Sequence, residues 1–388
     1  MATTNKWTWG LCAVGVITLA AVAQAEEKQR VVSALTPTTL SGFVDTSAHW
    51  NPGTGSANLP PYTPNVKLGG TKADGFNLDV AALTLNKTAE QEAGKWTAGY
   101  NATLLFGPDA VGYNPSVGAA ASDFSLKDTY VELRASVGNG LDIKLGTYSV
   151  IIGYEVFEAG NDPNYTRSYG YTIEPSQMTG FLAAYQFSPV VNAQFSVCNA
   201  WSAGVNARSF PAKAESFKTY MGAIGLTAPE RTGFLVGSTL LAGAINGYDA
   251  ASAVNKTSWY VGGTLNTPLK CLKVGAAYDY VMLAQNTLAG PANKSGYQAA
   301  IAGYLLWQAT ENLTVNTRAD YFTQSGYLAG PGLPKRAFAL TGTLQYDLWK
   351  NVVSRAEFRW DHAADDSKPY TKGLDNACVL ALNVIYKF

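Results

Sequence analysis

The sequence predicts an all-β fold in which about sixteen antiparallel strands close into a transmembrane up-and-down barrel. Three observations lead to this prediction. Hydrophobic residues alternate with polar or small residues in many segments of about ten residues. Long and short connections alternate along the chain. Aromatic residues gather near the ends of the alternating segments, as they do at the two surfaces of a bilayer.

The composition excludes several classes of protein. Among 388 residues only 14% are charged, and Lys plus Arg equals Asp plus Glu at 28 each. A nucleic-acid-binding chain needs a basic face, so no nucleic acid is expected as a partner. Beyond the first 25 residues no run of 18 apolar residues occurs, and no transmembrane helix is therefore expected.

Residues 1–25 have the pattern of a cleaved signal peptide. Lys6 supplies a positive start, an apolar run covers 11–22, and Ala23-Gln24-Ala25 fits a small-residue cleavage site. The alternative is a membrane anchor, which is less favoured because the run is short for a membrane span. Residues 26–38 would then be a short periplasmic N-terminal segment, and 39–388 the barrel.

The last twelve residues show the strand pattern most clearly. Every second residue from Cys378 to Phe388 is apolar, whereas the other parity, from Ala377 to Lys387, is smaller or more polar. A period of two indicates a strand with one apolar face. The pattern recurs upstream and predicts sixteen strands. Their ranges are 39–50, 76–87, 95–107, 126–137, 141–150, 179–187, 191–201, 217–227, 232–246, 257–267, 271–284, 296–309, 312–324, 336–348, 351–361 and 377–388.

The connections between these strands alternate in length. The odd-to-even connections are long: 51–75, 108–125, 151–178, 202–216, 247–256, 285–295, 325–335 and 362–375. The even-to-odd connections are mostly tight turns, such as Asn139-Gly140, Ser188-Pro189-Val190 and Ala228 to Arg231. Only 88–94 is somewhat longer. Short periplasmic turns and long outer loops are typical of outer-membrane barrels. A secreted β-sandwich or β-helix also carries one apolar face per strand and is the alternative.

Aromatic residues favour the membrane barrel over that alternative. They occur near both ends of the strands, as expected for two interfacial girdles. One end carries Trp201, Phe338, Trp360, Tyr321 and Tyr297, and the other carries Trp307, Trp96, Tyr346, Tyr386 and Phe388.

Residues suited to metal binding or catalysis are few. Cys198, Cys271 and Cys378 are far apart and odd in number, which predicts neither a disulfide framework nor a metal site. The only histidines are His49 and His362, and no Gly-x-Ser-x-Gly motif exists. We therefore expect no metal, no cofactor and no enzymatic activity.

The polar residues that alternate with apolar ones along each strand form one face, and this face predicts charged residues that line the inside of the barrel. About sixteen strands enclose an aqueous channel, whereas a charge on the lipid face costs about 2–4 kcal/mol at the midplane. The alternative for each charge is a structural pair across neighbouring strands. The predicted pore-lining residues are Glu132, Arg134, Asp142, Lys144, Arg318, Asp320, Arg355, Glu357, Arg359 and Asp361.

The longest connection, 151–178, lies between the fifth and sixth strands and is a candidate inward-folded constriction loop. It carries the acids Glu155, Glu158, Asp162 and Glu174, with Arg167 as its base, and four tyrosines. We expect its aromatics to pack on the inner wall and its acids to face water. Opposite the wall arginines, the acids would then set a transverse field that selects solutes by charge. The alternative is an external cap.

Four stretches of the chain resemble one family, in the order in which that family has them. They are Leu40-Ser41-Gly42-Phe43-Val44-Asp45, then Asp128 to Leu133, then Ile152-Gly153-Tyr154-Glu155 leading to Asn164-Tyr165-Thr166-Arg167-Ser168, and finally Ser354 to Asp361. On the basis of these four stretches and their order, most of the chain resembles the OmpL-like β-barrel porin-2 family of Gram-negative bacteria. In that family a Pro, an aromatic residue and a His are expected after Arg167, but here Pro175 is followed by Ser176-Gln177-Met178, so no role of that His carries over. The resemblance implies a porin without indicating the solute.

Barrels of this class resemble one another in ending on Phe, which the barrel assembly machinery reads. Tyr386 and Phe388 are therefore the predicted assembly signal, with an ordinary buried C-terminal Phe as the alternative.

The predicted function is passive diffusion of small hydrophilic solutes or ions through the outer membrane, after export by the signal peptide. A barrel without channel activity, such as a surface adhesin or a structural protein, is one alternative, and a barrel hydrolase is another. The expected partners are outer-membrane lipid, the solutes, the assembly machinery and, by analogy with other sixteen-stranded porins, two further copies in a homotrimer.

Overall fold

The computed structural model describes residues 38–53, 74–90, 92, 94–113, 123–201, 204–209, 216–250, 254–284, 295–325, 334–370 and 373–388. The predicted signal peptide 1–25, almost all of 26–38 and parts of several long connections lie outside these ranges. The connection predicted over 151–178 lies entirely within them.

The described residues form one closed antiparallel barrel of sixteen strands, as the sequence predicts. Each strand pairs with its neighbours in sequence, and β1 pairs with β16 to close the ring. The strands are β1 (Thr39–Trp50), β2 (Gly75–Lys87), β3 (Thr97–Phe106), β4 (Phe124–Ala135), β5 (Leu141–Ser149), β6 (Gln177–Gln186), β7 (Val191–Cys198), β8 (Thr219–Thr227), β9 (Thr239–Tyr248), β10 (Asn255–Asn266), β11 (Leu272–Leu283), β12 (Gly296–Gln308), β13 (Leu313–Ser325), β14 (Arg336–Trp349), β15 (Val352–Ala363) and β16 (Asn376–Lys387).

Helical structure is confined to short pieces in the described connections. The helix α1 (Tyr169–Ile173) follows β5, and 3-10 turns cover Pro108–Tyr113, Ala159–Asn161 and Glu230–Leu235. Within the described ranges, no helix has the length and apolar character needed to cross a bilayer.

The predicted strand boundaries are correct to within a few residues at every strand except β9. The prediction starts that strand at 232, but Glu230–Leu235 is a 3-10 helix with Gly233 at φ 63°, and β9 begins at Thr239. The turn between β8 and β9 is therefore longer than the predicted Ala228 to Arg231. Its apolar residues imitate a strand in sequence, but the positive φ of Gly233 turns the chain out of it.

Alternation along each strand separates an exposed apolar face from a buried one. On β16, Leu382 and Tyr386 are 60% and 50% exposed, whereas Asn383 and Ile385 are 1% and 0% exposed. Successive side chains of a strand point to opposite faces, and only one face of a closed barrel can be enclosed. The exposed apolar face therefore points outward to lipid and the buried face inward.

Most of the predicted girdle aromatics agree with this division, with one exception. Trp96, Trp307 and Tyr346 are 64%, 45% and 45% exposed on the outside. Trp201 is only 7% exposed, because its indole donates to Ser258 Oγ at 3.1 Å and its ring lies under Lys256 Nζ. The placement of Trp201 in a girdle is therefore wrong.

The largest apolar cluster lies on the inward faces, toward the end of the barrel that carries the long connections. It contains Ile151, Ile152 and Tyr154 from the connection after β5, together with wall residues such as Met221 and Ile245. An inner core of this kind means that the connection after β5 packs against the wall.

Candidate functional site

The connection from β5 to β6 comprises residues 150–176, named here the inner segment, and it contacts strands all round the barrel. Because the strands form a closed ring, only a segment inside the ring can touch inward-facing residues on so many of its sides. The contacts include Ile152 against Gly243 on β9, Tyr154 with Thr264 on β10, Glu158 with Lys127 on β4, Tyr165 with Asp79 on β2, and Gly160 with Lys387 on β16.

Arg318 on β13 is the most heavily bonded of the wall residues, and none of its side chain is exposed. Its guanidinium donates to Glu155 Oε1 at 2.8 Å and to Asp320 Oδ2 at 3.1 Å. It also donates to the carbonyls of Thr166 at 2.6 Å and Arg167 at 3.1 Å. A planar fork of five donors suits such a site, where carbonyls and a carboxylate must be satisfied together.

Two arginines on β15 continue the same arrangement along the wall. Arg355 donates to the carbonyls of Ala159 at 2.6 Å and Asp162 at 2.7 Å. Arg359 donates to the carbonyl of Arg167 and forms an ion pair with Asp361 at 2.7 Å. The wall arginines thus satisfy carbonyls of a segment that has little secondary structure of its own.

Wall carboxylates satisfy the amides of the same segment. Glu357 accepts from the backbone N–H of Tyr165 at 2.6 Å and of Thr166 at 2.9 Å. Asp320 accepts from the N–H of Tyr169, the first residue of α1, at 3.0 Å. Donors and acceptors of the wall are therefore matched to one conformation of the inner segment.

Ion pairs inside the segment close it on itself. Arg167 Nε lies 3.0 Å from Asp162 Oδ2 and donates to the Val156 carbonyl at 2.8 Å. Asp162 Oδ1 in turn accepts from the Val156 N–H at 2.9 Å. Burial raises the pKa of the Asp162 carboxyl, whereas the positive charge of Arg167 acts in the opposite direction.

The expectation that the acids of this connection face water is wrong for two of them. Glu155 and Asp162 are each 4% exposed, because Arg318 and Arg167 pair with them. These acids therefore do not stand across open water from the wall arginines. Glu158 keeps 29% of its side chain exposed although it pairs with Lys127 at 2.9 Å.

The ten predicted pore-lining residues all lie on inward faces, but they fall into two groups. The six on β13 and β15 form the wall against which the inner segment is bonded. The four on β4 and β5 form a separate ladder, in which Arg134 pairs with Asp142 at 2.7 Å and Glu132 stands opposite Lys144 in the strand register. Lys144 also lies 4.4 Å from the centre of the Tyr130 ring.

Several contacts of the inner segment were not predicted from the sequence. His49 Nε2 and Asp79 Oδ2 both bond the Tyr165 hydroxyl, at 2.9 and 3.0 Å. Asn316 donates to the Pro163 carbonyl at 2.6 Å. Inward parity marks Asn316, but Asp79 and Lys127 escape it, because the register shifts beside each of them, between β1 and β2 and between β3 and β4.

The C-terminal residue lies beside β1. Phe388 exchanges two backbone hydrogen bonds with Gly42, both at 3.0 Å, and its side chain is 46% exposed. Tyr386, on the outward face of β16, lies with its ring centre 6.4 Å from that of Phe388. Their role as an assembly signal stays a prediction.

The described residues give no sign of a metal centre. They contain no group of three or more His, Cys, Asp or Glu side chains arranged to hold a metal ion. Cys198, Cys271 and Cys378 are free thiols.

A closed sixteen-stranded barrel with an apolar outer face and an inward-folded connection after β5 defines an outer-membrane channel of the porin class. More narrowly, a family model described as "Putative beta-barrel porin-2, OmpL-like" matches residues 37–388, and the chain belongs to that family. No curated protein sequence matches the chain.

Solved porin structures share the fold at low sequence identity. The outer membrane channel DcaP of Acinetobacter baumannii superposes with a TM-score of 0.60 at 14% identity, over 91% of this chain and 97% of that one. OmpF of Salmonella typhi, solved with daunomycin, gives 0.59 at 14% identity, over 91% and 98%. An anion-selective porin from Comamonas acidovorans gives 0.57 at 14% identity, over 90% and 99%.

Proposed function

We propose that the chain is a narrow passive channel for small hydrophilic solutes or ions, and that the inner segment forms its constriction. The observation that carries the proposal is the anchoring of this segment to the inward faces of β13 and β15 by Arg318, Arg355, Arg359 and Glu357. A segment fixed there reduces the cross-section open to solutes.

The path of the segment supports this constriction. It starts at the outer end of β5, yet Lys387, the last residue of β16, donates to the Gly160 carbonyl at 2.8 Å. Arg355, near the periplasmic start of β15, holds Ala159 and Asp162. The segment therefore descends almost to the periplasmic rim before it returns to β6, which an external cap would not do.

The charge that solutes meet is smaller than the number of charged residues in the inner segment suggests. Glu155 and Asp162 are buried in ion pairs, whereas Glu158 and the ladder residues Glu132 and Lys144 are only half-buried. We propose that these half-buried groups, more than the buried pairs, set the charge preference of the channel.

Export, assembly and oligomeric state complete the proposal. Residues 1–25 would direct export, and Tyr386 with Phe388 would direct insertion into the outer membrane of a Gram-negative cell. A homotrimer is supported by the trimer form of one structural neighbour, OmpT of Vibrio cholerae, which shares 12% identity at a TM-score of 0.54. Membership of a porin family supports a channel rather than a hydrolase.

The test is planar-bilayer recording of the full-length mature protein and a variant in which residues 157–166 are replaced by Gly-Ser. The matched control shortens the outer connection 364–373 instead. We expect discrete channels from the unaltered protein and a conductance increase of about twofold or more in the first variant only, because a narrow section dominates resistance. Absence of channels from correctly folded protein would refute the channel, and equal conductance of all three proteins would refute the constriction.

A further inference from the structure

Two oppositely charged side chains stand side by side on the inner wall without pairing. Glu132 on β4 and Lys144 on β5, named here the split pair, are directly opposite in the strand register, where side chains are close enough to interact. Within the described part of the chain, no ion pair joins them to each other or to another charge. Charged residues at membrane depth that face a water-filled cavity often mark a solute pathway.

Neutral partners hold the two charges of the split pair apart. Lys144 Nζ lies 4.4 Å from the centre of the Tyr130 ring. Glu132 Oε2 instead accepts from the backbone N–H of Ala89 at 3.2 Å, in the turn after β2. Tyr130 and Glu132 are two residues apart, which is about 7 Å along the strand. The ammonium group is therefore held toward the outer surface and the carboxylate toward the periplasm, with a gap between them.

The lumen is open beside the split pair. Glu132, Lys144 and Tyr130 face inward, and each of them is only half-buried. The six charged residues on β13 and β15, to which the inner segment is bonded, are all buried. A side chain that faces the inside of a closed barrel can be exposed only to water in the lumen. The strip of wall formed by β4 and β5 is therefore accessible to solutes.

The other charges of β4 and β5 are engaged with one another or with the inner segment. Arg134 and Asp142, one rung nearer the periplasm, neutralise each other through two hydrogen bonds at 2.7 and 2.8 Å. Toward the outer end, Lys127 pairs with Asp128 at 2.6 Å and with Glu158 at 2.9 Å. On these two strands the split pair thus supplies the one cation and the one anion that have no charged partner.

We propose that the split pair is a two-point binding site for small zwitterionic solutes, which carry one carboxylate and one ammonium group, as α-amino acids do. Lys144 donates to the carboxylate of the solute and Glu132 accepts from its ammonium group, through charge-assisted hydrogen bonds. An ion with a single charge is attracted by one member of the pair and repelled by the other, whereas a zwitterion gains from both. This inference rests on the proposed channel and names the class of solute that the channel favours.

The experiment measures tracer influx into proteoliposomes that contain the full-length mature protein. Radiolabelled probes of nearly equal size are compared in mildly acidic buffer. Glycine carries both charges, glycolate only the negative one, glycinamide only the positive one, and glycolamide neither. Glycine should enter faster than the other three, and an excess of unlabelled glycine should abolish this advantage because a binding site saturates.

Variants of the split pair assign the effect to its two members. Lys144→Gln and Glu132→Gln should each lower glycine influx by about two- to fivefold, the range for one partly hydrated ion pair. Lys144→Arg keeps the positive charge and should keep the preference for glycine. Lys87→Gln on the outward face of β2 and Glu90→Gln in the exposed turn after β2 remove the same charges elsewhere and should change nothing. Unchanged glycolamide influx shows that each variant is folded and inserted.

The outcomes separate the binding site from the channel. If the two charges act independently, Lys144→Gln will favour glycinamide over glycolate, Glu132→Gln will do the reverse, and glycine influx will stay the same in both. That result, or glycine influx that does not saturate, would overturn the binding site and leave the channel standing. Exclusion of glycolamide and the other probes by correctly folded protein would refute the channel, and the binding site with it.

Discussion

Replacing Arg318 by Met should release the inner segment without unfolding the barrel. The guanidinium has no exposed surface and bonds Glu155, Asp320 and two segment carbonyls. Removal of one partner from a buried ion pair costs about 3–5 kcal/mol, because the other charge is left uncompensated. The strand ladders of β12, β13 and β14 are backbone bonds and do not depend on this side chain.

The cost falls on the attachment of the segment. About 3–5 kcal/mol corresponds to a change of roughly a hundredfold to a few thousandfold in the ratio of detached to attached segment. Exchange of the amide protons of Tyr165, Thr166 and Tyr169 should accelerate accordingly, because in the unaltered protein these protons are protected by hydrogen bonds to wall carboxylates. Hydrogen exchange followed by mass spectrometry, with β6 and β7 peptides as the reference, measures this.

Two further variants make the result specific. Arg231→Met removes an exposed arginine of the β8–β9 turn and should change nothing. Adding Glu155→Gln to Arg318→Met removes the stranded charge and should recover part of the protection. Unchanged exchange of 163–169 in Arg318→Met would refute the view that the wall arginines hold the segment.

Three other predictions concern the lipid face, the terminus and the charge preference. Leu382→Arg, on the outward face, should destabilise the barrel by about 2–4 kcal/mol in a lipid unfolding assay, whereas Leu382→Met should not; equal stability would contradict the face assignment. Deleting Phe388 should lower outer-membrane levels far more than Phe106→Ala does. Phe106 is a suitable control because the two residues are similarly exposed, at 46% and 40%, so that loss of burial alone would affect both alike; equal levels would contradict an assembly role. Glu158→Gln should shift the reversal potential toward anions, whereas Glu230→Gln, at an exposed position, should not. The shift should be larger at 0.01 M than at 1 M salt, because the Debye length falls from about 30 Å to about 3 Å between these concentrations.

The fold could be predicted from the sequence because its signals are local. Alternation with period two sets each strand and its face, and short turns such as Asn139-Gly140 set the pairing of neighbours. The one strand start that was badly misplaced, that of β9, follows an apolar stretch that alternation cannot distinguish from a strand.

The candidate site could be predicted only in part, because its contacts are not local. Parity identifies Arg318, Arg355 and Arg359 as inward, but their partners are carbonyls of a segment without periodicity. Whether Glu155 faces water or Arg318 depends on how that segment folds, which no spacing in the sequence reveals.

The most direct test of the central claim, that the inner segment descends into the barrel, is thiol labelling of intact cells in a background without the native cysteines. Asn161→Cys places an exposed thiol at the tip of the segment, near Lys387, and Asp366→Cys places one in an outer connection. A bulky maleimide–polyethylene glycol should label Asp366→Cys and leave Asn161→Cys unmodified, whereas a small maleimide that can pass the channel should label both. Labelling of both variants by the bulky reagent at the same rate would contradict the account, because the segment would then lie outside the barrel.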